Sequence, residues 1–224
     1  MRLLYFDLKQ GNNIALQCLA EHFGWPTALK LACQLKLRLW TNNPFGELNR
    51  QKPPSREEKL SQRQMVPLVV LYQLMAERYP RAQVLQVAAQ VSQRVAIAFL
   101  RFNVPQIHHA EFKDAPRETK LAKLKSVTLR FFNAKADLKL DHKDNFHFTV
   151  NTCYFARYAK LLGMPELAPL FCAADKLYFD NYQPEVQMIR TVTLATDEKP
   201  CDFYFKWRSE ETDKEVEQTT GTVV

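Results

Sequence analysis

Three thiols and two carboxylates fall in the last third of the sequence: Cys153, Cys172, Asp175, Cys201 and Asp202. A thiol that loses its proton can attack an electrophilic carbon, and a neighbouring carboxylate can carry that proton. Cys153 stands where strand periodicity gives way to helix periodicity. It opens a helix there, where the positive end of the helix dipole favours a thiolate. Cys172 and Asp175 are three residues apart and share a helix face. Cys201 and Asp202 are neighbours on a strand, so only one of them looks into a given site. Arg190 interrupts an apolar strand, where a charge is costly unless paired. Asp175 or an anionic substrate would satisfy it. His147 lies on the polar face of its strand and titrates in the range useful for proton transfer.

Each residue also has a plainer reading. Buried cysteines commonly act as small hydrophobes, and Cys18 and Cys33 are read that way. Zinc held by Cys153, Cys172 and Cys201 is conceivable, but the 18 and 28 intervening residues match no usual structural site. Neither a metal nor a cofactor is expected. Signatures of dinucleotide enzymes, P-loop enzymes, serine hydrolases, zincins and CxxC redox proteins are all missing.

The elements that must position these residues follow from periodicity. Helices are expected over 12–23 with Asn12-Asn13 as the start, over 27–40, over 62–78 with strain at Pro67, and over 82–102. Val84, Val87, Ala88, Val91, Val95, Ala98 and Phe99 put the last of these on one apolar face. Residues 41–61, with Pro44, Pro53 and Pro54, read as a surface loop with one exposed turn. Residues 116–133 read as a basic amphipathic helix. Alternation over 146–150 marks a strand, 153–162 and 166–179 read as helices, and 186–194 and 201–207 form a hairpin. The fold class is α+β: a helical N-terminal portion, then a small antiparallel sheet with helices packed on one face. A single domain is expected over 1–208, helical to 135 with the Cys/Asp-rich region at 140–208. A disordered acidic tail is expected over 209–224.

The 224 residues carry a formal charge of +7. From Arg208 onward acidic residues outnumber basic ones, so the excess sits in the body of the chain. A basic body can attract nucleic acid or anionic lipid, but no nucleic-acid motif accompanies it. The stretch MRLLYFDLKQ is apolar over too short a run for a secretory signal. The longest apolar run, 65–71, is far below the ~20 residues of a membrane span. Five cysteines, an odd number, favour free thiols. These features predict a cytoplasmic protein without nucleic-acid or membrane partners, and possible as a homo-oligomer.

The string F-H-F-T-V-N-T-C-Y-F-A-R-Y from Phe146 is followed by L-G-M-P-E-L-A-P-L-F-C-A-A-D, R-T-V-T-L and C-D-F-Y-F. It resembles the family of L-2-amino-thiazoline-4-carboxylic acid hydrolases. Cys153, Cys172, Asp175, Arg190, Thr191, Thr193, Cys201, Asp202 and Phe203 match that pattern in order. The chain departs from it in lacking glycine in the turn 196–200 and in having Tyr204 where the family tends to carry arginine. The resemblance implies hydrolysis of a carbon–nitrogen bond in a small cyclic amidine-like carboxylate. On that expectation Cys153 or Cys172 attacks, Asp175 moves protons, and Arg190 holds the substrate carboxylate. Thr191, Thr193, His147, Cys201 and Asp202 complete the substrate-binding set. The rival reading is a non-catalytic small-molecule binding or sensor module of the same fold. A weaker one is a binder of anionic membrane or nucleic acid through the basic helix after Pro116.

Overall fold

The computed structural model describes residues 2–141 and 144–208. The expected acidic tail and His142 lie outside the described residues. The chain opens with α1 (Arg2–Phe6), a π-helical turn (Asp7–Gly11) and α2 (Asn12–Phe23). α2 thus has the expected bounds, but no asparagine caps it: Gly11 and Asn12 both have right-handed helical backbone and the chain winds straight through from the π-helical turn. Gly24, at φ 75°, breaks the run, and α3 (Trp25–Thr41) follows with Pro26 in its first turn.

The supposed loop over 41–61 is partly helical. Phe45 is fully buried, α4 covers Gly46–Gln51 and α5 covers Arg56–Ala76. The start of α5 is set by a capping box. The Ser55 side chain accepts from the Glu58 N–H, and the Glu58 carboxylate accepts from the Ser55 N–H at 2.8 Å. The helix then runs on through Pro67. Its apolar face meets α6 (Arg81–Asn103), which carries the expected Val84, Val87, Ala88 and Val91 stripe into the core.

The basic helix is shorter than expected. α7 (Arg117–Thr128) ends before the expected 133, and 134–140, for which no element was expected, forms strand β1 (Ala134–Leu140). Core packing is what α7 does: Leu124 is fully buried, and even Lys120 is buried, paired with Asp144 at 2.6 Å. Next come β2 (Phe146–Cys153), α8 (Tyr154–Leu161), α9 (Ala168–Tyr182), β3 (Val186–Ile189) and β4 (Cys201–Trp207). The four strands make an antiparallel sheet in the order β1-β2-β4-β3. The β3–β4 hairpin is as expected, but β3 stops at Ile189 rather than continuing to 194.

Among the described residues two large buried clusters hold the fold, with a small third one of Phe6 and Phe99. One joins the N-terminal helices to α8 through Leu31, Phe45, Met65, Val84 and Tyr158. The other packs Leu124 of α7 and Tyr178 and Phe179 of α9 onto Phe146, Phe148 and Phe205 of the sheet. Phe146 and Phe205 stack with ring centres 4.8 Å apart.

The glycine-free turn before β4 has a visible cost. Glu198 sits at φ 55°, the left-handed region that costs a side-chain-bearing residue roughly 1–2 kcal/mol. Its ion pair with Lys160 is fully solvated and offsets little of this. Glu198→Gly is expected to stabilise the protein by about 0.5–1 kcal/mol, read as a higher urea midpoint at unchanged slope.

Candidate functional site

Alternation along β2 turns Phe146, Phe148 and Val150 to the inner face of the sheet, and along β4 it turns Cys201, Phe203 and Phe205 the same way. Strict alternation would send Cys153 outward. A register irregularity prevents this: Ala136 pairs with Val150 but Lys135 pairs with Thr152, so Asn151 is an extra residue in β2. Such a bulge re-aims the residues that follow it. Cys153 consequently faces inward, as the last strand residue and the N-cap of α8.

Across from the sheet, α9 presents Phe171, Cys172, Asp175 and Phe179, all within little more than two turns. Between them lies a cavity of about 630 Å³, closed by Phe99 and Leu100 of α6 and by the 121–138 segment. That volume is in the range of small-molecule sites. Cys153, Cys172, Asp175 and Cys201 all line it. Arg190, just past β3, is not among the residues that line it but touches two that are. One guanidinium nitrogen donates to the Cys172 carbonyl at 2.9 Å and the group lies over the Phe203 ring, 5.7 Å from its centre.

Asp175 is the unusual member. Among the described residues none donates a hydrogen bond to its carboxyl or forms an ion pair with it. The residue is half-buried, and the space it touches is the cavity itself. Burial pushes its pKa up to about 7, against the opposing pull of Arg190. A carboxyl balanced between its two states at neutral pH suits acid–base work.

The thiols move in the opposite direction to the one expected. Burial pushes Cys153 up to about 11, and the N–H groups of Phe155 and Ala156 at the start of α8 only partly oppose it. Burial, then the Asp175 charge, raises Cys172 further still. Burial also raises Cys201, whose sulfur accepts from the Leu194 N–H at 3.3 Å. The helix-terminus argument for a Cys153 thiolate was sound about sign, but desolvation outweighs it. With a thiolate fraction at pH 7 of order 10⁻⁴, Cys153 should label with iodoacetamide roughly 10²-fold more slowly than an ordinary thiol of pKa ~8.5. Peptide mass spectrometry after timed labelling checks this, with exposed Cys33 as the internal fast standard.

The remaining candidates lie elsewhere. His147 is on the outer face of the sheet, its ring 4.2 Å from that of Tyr204. Asp202 is also outward. Although burial raises it, donors at Thr191 and Val192 hold its carboxyl below the usual range. The backbone N–H groups of both residues reach it at 2.9 and 2.8 Å, and the Thr191 hydroxyl donates to its other oxygen. Thr193 is buried in the same loop. Its hydroxyl meets that of Thr196 at 2.8 Å and its N–H donates to Asp197 at 2.8 Å. Thr191, Thr193 and Asp202 thus shape the segment that delivers Arg190 and do not line the cavity. Sequence reasoning missed the apolar wall, above all Phe99, Phe155 and Phe171. The four-residue steps Phe171, Asp175 and Phe179 were the available signal for part of it. No three His, Cys, Asp or Glu side chains among the described residues are grouped so as to hold a metal ion, and no helix among them is long and apolar enough to cross a membrane.

A model of the L-2-amino-thiazoline-4-carboxylic acid hydrolase family matches residues 58–205. No curated protein matches. Two solved structures of an H-NOX protein from S. oneidensis are similar to the chain. A variant in the Fe(II) ligation state is 12% identical with a TM-score of 0.31, covering 89% of this chain and 95% of that one. The Fe(II)NO ligation state gives 11% and 0.32, covering 89% and 98%.

Proposed function

Because the chain belongs to the L-2-amino-thiazoline-4-carboxylic acid hydrolase family, we propose that it hydrolyses a carbon–nitrogen bond in a small cyclic amidine that bears a carboxylate. The observation that carries this reading is the Asp175 carboxyl, which lines the cavity with no hydrogen-bond donor or ion-pair partner among the described residues. The carboxyl faces the cavity rather than a protein donor, and an amidine N–H pair placed there can donate to both of its oxygens. Arg190, beside it, offers a fork of donors to a substrate carboxylate.

Cys172 is the better placed nucleophile. It shares the Asp175 face of α9, and after burial the Asp175 charge is the main influence on its thiol, whereas for Cys153 that charge is the smallest. A thiol held this firmly protonated attacks only as its proton leaves. The Cys172 sulfur therefore bonds to the amidine carbon while Asp175 takes the proton. The ring carbon–nitrogen bond breaks as Asp175 returns that proton to the departing nitrogen. Water, deprotonated by the same carboxylate, then displaces the sulfur, and Asp175 passes that proton to the departing Cys172 sulfur, restoring thiol and carboxylate.

A second reading, a binding module without turnover, is favoured by the raised thiols. One experiment separates them: incubate the protein with 2-amino-thiazoline-4-carboxylate and follow ring opening by mass spectrometry, alongside Cys172→Ala. Turnover lost in the variant supports the hydrolase. Tight binding with no product in either protein supports the module.

A further inference from the structure

A second cavity, of about 850 Å³, lies between the N-terminal helices and α5 and α6. Leucines and valines supply much of its apolar wall, among them Leu35, Leu39, Val66 and Leu71, and the Asp7 carboxyl and several amides, such as Asn43 and Gln62, also face it. Its cationic residues, Lys59 and Arg63, are exposed and sit at its rim. The two cavities are not separate features. Gln64, Ala96, Phe99 and Phe171 belong to the walls of both. Phe171 precedes Asp175 by about one helical turn, so along α9 the common wall begins a rise of about 6 Å from Asp175. Ala96 is the smallest residue in that wall. The far walls of the second cavity, from α1 and α3, come from residues before 58 and so outside the matched family span.

We propose that the two cavities form one bipartite site for an amphiphile. Its amidine-type head lies at Asp175 and its long apolar chain passes Ala96 into the N-terminal chamber. The inference rests on the reading of Asp175 above and extends it: the ligand of this chain is larger and more apolar than the bare thiazoline carboxylate. Apolar walls reward each methylene removed from water; the direction is set by Asp175, which no donor among the described residues pairs, whereas the Asp7 carboxyl in the second cavity has the Arg63 charge near it.

The test is calorimetric titration of the full chain with n-alkyl amidines of two to ten carbons, kept below micelle formation. Affinity is expected to rise about fourfold per methylene across the series. Ala96→Trp fills the passage, and the ratio of ten-carbon to four-carbon affinity should fall by about 30-fold or more, the worth of two to three methylenes at that increment. As a check that does not depend on the variant folding, a ten-carbon amidine with a terminal diazirine should label Leu35, Val66 or Leu71 in the unaltered protein. A series that levels off by about four carbons, or chain-end labels confined to the sheet side around Phe148 and Phe203, would overturn the proposal. The head and the chain fail separately. If Asp175→Asn binds the whole series as tightly as the native chain while affinity still climbs with length, the two-chamber site stands and the Asp175 reading falls.

Discussion

Asp175→Asn is expected to lower turnover by about 10²–10⁴-fold and at the same time to make the folded protein more stable at pH 8. The first effect follows from the role in proton transfer, since the amide has no proton to exchange at neutral pH. The second follows from burial. The carboxyl titrates at about 7 in the folded chain, against about 3.9 when unfolded. Below pH ~4 both states hold the proton and the group costs nothing. As pH rises from there to about 7 the unfolded chain releases its proton and the folded chain retains it, so folding stability falls. Above about 7 the loss is complete, with an upper bound of roughly 4 kcal/mol at 1.36 kcal/mol per pH unit.

Asparagine removes that slope. Urea denaturation of both proteins at pH 5 and pH 8 should show the native chain losing stability relative to the variant as pH rises. A native chain whose stability relative to the variant is the same at both pH values would place the Asp175 carboxyl in water and remove the basis for its catalytic role. The combination of lost activity with raised stability is the mark of a strained functional group. A residue kept for packing would show the reverse.

How much of this could be read from the sequence depends on how local each cause is. The alternation of Phe146, Phe148 and Val150, and of Cys201, Phe203 and Phe205, is a period-two signal that needs no partner, and it predicts both central strands. β1 gives no such signal. It is an edge strand reading AKADLKL, with poor strand formers and mostly exposed positions. The start of α5 was legible in Ser55-Arg56-Glu57-Glu58, a capping-box pattern overlooked among the prolines. The pairing of Cys172 with Asp175 was legible because helix spacing is local. The inward turn of Cys153 was not, since it depends on one extra residue opposite β1. The thiol pKa values were misjudged for a related reason: a helix terminus shows in the sequence, but the depth of burial that outweighs it does not. The loop role of Asp202 likewise depends on where the chain returns after β3.

Arg190 was conspicuous as a charge within an apolar strand, and its substitutions should separate charge from shape. Arg190→Met is expected to lower kcat/KM for a carboxylate-bearing amidine by roughly 10- to 150-fold, the worth of a charged hydrogen bond at 1.5–3 kcal/mol. The same substitution removes the one positive charge that restrains Asp175, so the pH dependence assigned to Asp175 should move upward as well. Arg190→Lys keeps a charge but not the planar fork. It should leave the pH profile near its native position while kcat/KM still falls, because a point charge cannot pair both carboxylate oxygens while also holding the Cys172 carbonyl. Replacing the substrate carboxylate by a carboxamide should shrink the Arg190→Met effect. An effect of equal size on both substrates would mean that Arg190 acts only by bracing α9 against β4. In that case the carboxylate must find its partner elsewhere.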